Sequence, residues 1–180
     1  MRFIVTISLS AFLLFQIQPL LSKHILPWFG GSPAVWTTCL LFFQVVLLTG
    51  YGYAYWLASW NSRRKQMIVH MLLLAFTLLL IPVFPNETWK PEGGESATWQ
   101  VLGLLTMTVG GPYFLLATTG PLLQAWFSIS SPGQSPYRLY AVSNAGSLLG
   151  LITYPFIFDP LMTRHTQVVS WSGAYAVFVI

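Results

Sequence analysis

Apolar residues in this chain gather into runs instead of alternating with polar ones, and the runs are too long and too poor in charge for a water-soluble core. The first covers residues 3–21 and follows Arg2. It has the basic start and apolar middle of a signal peptide. The sequence after it, Gln18-Pro19-Leu20-Leu21-Ser22-Lys23-His24, has no small-x-small cleavage site, so a retained first helix is expected. The second run, 34–59, carries no charge. At about 1.5 Å per residue it exceeds the roughly 30 Å of a hydrocarbon core and crosses with tilt. Trp60 and the triplet Arg63-Arg64-Lys65 follow it. A third run, 67–84, stops at Pro82 and Pro85, whose missing N–H groups and rings oppose helix continuation.

After a polar loop at 86–96, no charged side chain occurs from 97 to 137, although Gly110-Gly111-Pro112 and Gly120-Pro121 interrupt the run. The expectation is one span at 99–119, kinked near Pro112, then a short interfacial helix at 121–127. A fifth span is predicted at 139–158. The last run, 168–180, reaches only about 20 Å as a helix and reads as part of a sixth span. Together these runs predict an all-α, polytopic transmembrane helical bundle over residues 1–180, with about five full spans and a partial sixth.

Composition agrees. Hydrophobic residues make up 55% and charged residues 7% of the chain, against about a quarter charged in ordinary soluble domains. The net charge of +4 does not signal nucleic acid, because the basic residues are scattered among loops and form no stripe. Cys39 is the single cysteine, which leaves neither an internal disulfide nor a cysteine-based metal site. With the N-terminus inside, the cytoplasmic loops hold Arg2, Arg63, Arg64, Lys65 and Arg138, and the opposite side holds Lys23, Lys90 and Arg164. The excess of inner cations favours that orientation. The four carboxylates, Glu87, Glu92, Glu95 and Asp159, then fall outside.

Gly146 and Gly150 form a GxxxG in the fifth span, with Ser143 and Ser147 as a second small pair on a neighbouring strip. Small residues let backbones approach closely where lipid offers no hydrophobic drive for association. Packing inside the bundle is the expected use of this face. Should internal helices leave it free, it becomes the candidate surface for a partner membrane protein. Gln16, Gln44 and Asn144 are expected to face a polar interior, since an amide in lipid needs a partner. Gln16 and Gln18 stand about 200° apart on a helix and cannot share one cavity centre. Thr49-Gly50-Tyr51-Gly52-Tyr53 is one residue short of a potassium-channel filter and has no re-entrant helix before it. Its Gly50, Gly52 and Ala54 are expected to make room for a crossing helix. His24, His70 and His165 show no helical ligand spacing and no CxxCH occurs, so no metal, haem or other cofactor is expected. With Asp159 the sole aspartate, and no acid in the spans, no catalytic residue is assigned.

Four strings carry a family resemblance: SAFLLFQIQPL at 10–20, PWFGGSPAVWTTC at 27–39, GPLLQAWF at 120–127 and SPYRLYAVSNAGSLLG at 135–150. Together they resemble the membrane half of bacterial fused major-facilitator/spermidine-synthase-like proteins. The resemblance implies half of a major-facilitator-type fold in the bacterial inner membrane. It also implies a larger protein whose soluble part looks like an aminopropyltransferase. The glycine-rich cofactor loop and catalytic aspartates of that part have no counterpart here, so no catalytic residue carries over. The expected function is a non-catalytic membrane module, transporter-like or substrate-channelling, for a small polar or cationic solute. The alternative is a structural accessory subunit packed against a larger membrane complex. Either way the expected partners are the lipid bilayer and another membrane protein.

Overall fold

The computed structural model describes residues 2–91 (Arg2 by its backbone), 96–131, 135 and 137–180. Glu92 and Glu95 lie outside the described residues. All regular structure among those described is helical: α1 (Arg2–Ile25), α2 (Pro33–Ala58), α3 (Arg63–Thr77), α4 (Ala97–Leu105), α5 (Gly111–Ser130), α6 (Tyr137–Thr153), α7 (Asp159–Leu161) and α8 (Arg164–Val179). Wide π-turns at Thr106–Gly110 and Tyr154–Phe158 join α4 to α5 and α6 to α7. Four continuous helical stretches are long and apolar enough to cross a membrane: Phe3–Phe29, Pro33–Ala58, Ala97–Ser130 and Tyr137–Leu161. α3 and α8, with 15 and 16 residues, are shorter.

Local chemistry sets the boundaries. Gly30 and Gly31 take positive φ angles, 80° and 65°, which end the turn after α1 at little steric cost. Ser32 then caps α2 by accepting from the Val35 N–H, with Pro33 in the first turn. Ser62 and Thr163 cap α3 and α8 in the same way. The third helix stops earlier than its apolar run, tightening to a 3-10 turn at Leu78–Leu80. Ile81, which precedes Pro82, is extended, because the proline ring disfavours the helical region there. The last helix starts earlier than expected, at Arg164, because its Thr163 cap precedes the apolar run.

One expectation is corrected outright. The chain does not break at Gly120-Pro121 into a span and an interfacial helix; Pro121 lies inside α5, and helix continues from Ala97 to Ser130. At roughly 50 Å, this element is longer than a bilayer core. Hydroxyls support the turn before the proline: Thr118 and Thr119 donate to the Phe114 and Leu115 carbonyls at 2.8 Å each. The irregularity expected near Pro112 is instead the π-turn just before it, and Pro155 lies within the other π-turn. A wider turn relieves the clash between a proline ring and the preceding turn's carbonyl.

α1 is the central helix. It packs along α6 and also touches α2, α5 and α8, while α2 packs on α5. Gly146 and Gly150 explain how closely α1 and α6 meet. A methyl built on Gly146 would stand 2.5 Å from the Ser8 carbonyl oxygen, and one on Gly150 would stand 2.6 Å from that of Phe12. The GxxxG face is therefore occupied inside the bundle and is not available to a partner. Gly50 does the same for α2 against α5, 2.9 Å from the Ala117 Cβ, whereas Gly52 faces open space. Large apolar side chains cover the exterior, among them Leu48, Leu79, Met107 and Phe156, each more than two-thirds exposed. Such a surface is compatible with lipid as its surroundings.

Two glutamines lock successive helices together at opposite ends. Gln66 donates to the carbonyls of Ala58 (3.2 Å) and Trp60 (2.7 Å) and accepts from Trp126 Nε1 at 2.7 Å. Gln167 donates to the carbonyls of Phe158 and Met162 at 3.2 and 3.0 Å. Each sits near the start of its helix and bonds to carbonyls at or just beyond the end of the preceding one, although the Phe158 carbonyl also accepts the Met162 N–H at 3.0 Å. Gln66, Arg63 and the Phe3–Phe127 ring contact mark one end of the bundle. The Lys23–Asp159 ion pair, at 2.5 Å, and the rings of His24, Phe84 and His165 mark the other.

Candidate functional site

A groove of about 480 Å³ lies where α1, α2, α5 and α6 meet. Helical periodicity builds its walls. On α6, Tyr140, Asn144, Ser147 and Leu151 recur every three or four residues and so share one face. On α5 the matching stripe is Leu116, Gly120 and Gln124. Gly120 keeps that wall low, since a methyl built there would meet nothing within 4 Å. Ser10 of α1 closes the floor, buried and donating to the Ile7 carbonyl at 3.0 Å. Tyr51 enters from α2, about half exposed, as is Tyr140 across the groove.

Most of this lining is aliphatic, with Leu14, Leu116, Leu148 and Leu151 among it; the hydroxyls, amides and tyrosine rings are set into it, and none of the described lining residues is charged. The Gln124 and Asn144 amides have no hydrogen-bond partner among the described residues. They offer donors and acceptors toward the groove, and the two tyrosines offer hydroxyls and π faces.

The structure separates the residues singled out in the sequence. Gly146 and Gly150 face α1, while Ser143 and Ser147 line the groove and are not part of that close contact. Asn144 is not in a closed interior: it is exposed on the groove's rim. Gln44 is also exposed, on the face of α2 that carries Tyr51 two turns later. The burial expected for these two amides is not met: among the described residues no helix covers either of them. Gln16 is buried as expected, and with Gln167 it lines a separate cavity of about 100 Å³ between α1 and α8. Gln18 reaches Tyr113 instead, donating to its hydroxyl at 2.9 Å.

Gln124, Tyr140 and Ser10 were missed in the sequence reading. The stripe Tyr140, Asn144 and Ser147 was detectable as polar residues at helical spacing. Gln124 was hidden by the expected break at Gly120-Pro121, which removed it from the spans.

The three histidines lie apart from the groove. His70 is buried between α3 and α5 with Nε2 3.1 Å from Thr119 Oγ1, and His24 and His165 flank Phe84. Among the described residues, no three His, Cys, Asp or Glu side chains are grouped as a metal site. Asp159 is engaged by Lys23, and Glu87 by Lys90 at 2.9 Å.

Comparison with family models, curated proteins and solved structures gives no match for the chain.

Proposed function

We propose that this chain is a non-catalytic, transporter-like or substrate-channelling membrane module of the spermidine-synthase-like/major-facilitator-like kind, and that the groove is one wall of its solute path. The observation that carries the reading is a pair of amides, Gln124 and Asn144, without hydrogen-bond partners among the described residues, facing a groove whose described lining is largely apolar and uncharged. An amide left against hydrocarbon costs a few kcal/mol, so such a groove calls for a polar filling. Its uncharged donors, acceptors and tyrosine faces suit a small polar solute or a cation, and offer nothing to balance an anion. A second membrane segment would supply the facing wall. The inner-membrane, N-in orientation belongs to the same reading, because Arg63, Arg64, Lys65 and Arg138 share one end.

The test is uptake into proteoliposomes, with labelled spermidine as the cationic probe and glycerol as the neutral one, comparing the unaltered chain with Asn144→Leu and Gln124→Leu. Saturable uptake of either probe, reduced at least tenfold by either substitution, supports the reading. Uptake of neither, or uptake indifferent to both substitutions, defeats it.

A second reading has its own support. Gln44 and the apolar faces of α2 and α6 are exposed, as in an accessory subunit whose surface is covered by a larger complex. Copurification of one constant partner from native membranes, without transport, would favour it.

A further inference from the structure

A cavity of about 630 Å³ lies where the start of α1 meets the end of α5 and the start of α6. Its walls are apolar: Phe3 and Phe127, in edge contact at 5.8 Å, with Ile4 and Leu139. Its polar lining is Ser135, Tyr137 and Arg138. A second, shallower cavity of about 470 Å³ shares Ile4 with the first and follows the α1–α6 seam. There it is walled by Val5, Leu9 and Phe12 from α1 and by Val142 and Leu149 from α6. Arg138 stands four and eleven residues before Val142 and Leu149, and so heads the same face of α6. The result is a cationic mouth leading into an apolar track about 12 Å long, from Ile4 to Phe12.

From this juxtaposition we propose a binding site for an anionic glycerophospholipid, with the headgroup phosphate at Arg138 and an acyl chain along the α1–α6 seam. Charge distribution supports that occupant. The described carboxylates, Glu87 and Asp159, are at the other end and each pairs with a lysine. Arg63 reaches Ser130 at 2.6 Å, whereas Arg138 has no partner among the described residues. A guanidinium at the membrane surface without a carboxylate takes phosphate in a bidentate geometry. The hydroxyls of Tyr137 and Ser135 add donors beside it. A free anion would leave the apolar track unused; an acyl chain fills it. The site is separate from the solute groove and does not rest on transport.

The experiment purifies the full chain in mild detergent, incubates it with mixed micelles of phosphatidylglycerol and phosphatidylcholine at equal amounts, and weighs retained lipid by native mass spectrometry. The expected result is preferential retention of phosphatidylglycerol. Arg138→Gln should cut that preference about tenfold, the value of one charge-assisted phosphate contact. Arg64→Gln, at the same end, should leave it intact, and Val142→Trp, which fills the track, should lower retention of both lipids. Helical content by circular dichroism confirms that each variant is folded. Equal retention of the two lipids, or a preference unmoved by Arg138→Gln, overturns the proposal. So does displacement of the lipid by inorganic phosphate alone, which would make the mouth a free-anion site.

Discussion

Gly146 of α6 faces the backbone of Ser8 in α1 so closely that an added methyl carbon would lie 2.5 Å from the Ser8 carbonyl oxygen. The obstructing atom is main chain and cannot swing aside as a side chain can. Gly146→Leu is therefore expected to force the two helices apart and to destabilise the bundle by about 3 kcal/mol or more, beyond the usual range for overpacking. Gly173→Ala, at a position with nothing within 4 Å, should be neutral or stabilising by up to about 1 kcal/mol through helix propensity. Unfolding in mixed detergent, followed by circular dichroism, separates the two; equal effects would show that the α1–α6 contact is looser than described.

Gln66 is buried, and it is expected to matter because three groups depend on it: Trp126 Nε1 and the carbonyls of Ala58 and Trp60. Gln66→Leu leaves them unpaired and should cost about 2–3 kcal/mol. Gln66→Glu should fare no better, since a carboxylate accepts from Trp126 but cannot donate to two carbonyls. Denaturant midpoints give the energies, and a shift in tryptophan emission would report the change around Trp126.

The ion pair between Lys23 and Asp159 joins α1 to α7 at 2.5 Å, yet the two side chains are 49% and 30% exposed. Solvent screening limits such a pair to about 0–1 kcal/mol. A double-mutant cycle with Lys23→Met and Asp159→Asn should return a coupling in that range, lower still at high salt. A coupling of several kcal/mol would place the pair in a drier setting than its exposure indicates.

Orientation is testable with single cysteines in a Cys39→Ala background. Ser62 is expected on the cytoplasmic side and Ser96 on the opposite side. An impermeant thiol reagent on intact cells should label Ser96→Cys and spare Ser62→Cys. The reverse pattern would invert the topology proposed here.

Much of the fold was legible in the sequence because lipid imposes a simple rule: backbone groups must pair within the segment, so a long uncharged run becomes helix. The runs beginning at 3, 34, 99 and 139 announced the four long helices, whereas the caps at Ser32, Ser62 and Thr163 were not read from the sequence and emerge only from the structure. Sequence also singled out Gly146 and Gly150 as a place of close approach, since only small residues permit one. Tertiary structure alone decided what approaches. α1 occupies that face, and Gly50 but not Gly52 receives a neighbouring helix. It decided too that Pro121 stays within α5, because a proline's cost depends on how the surrounding turns and packing accommodate it, and here helix continues on both sides with Thr118 and Thr119 bonded back to the Phe114 and Leu115 carbonyls in the turn before. The groove was hidden for the same reason: Ser10, Tyr51, Gln124 and Asn144 come from four separate segments. The stripe that holds Asn144 is visible in the sequence, but only the helix rotations set by packing turn it toward Ser10, Tyr51 and Gln124.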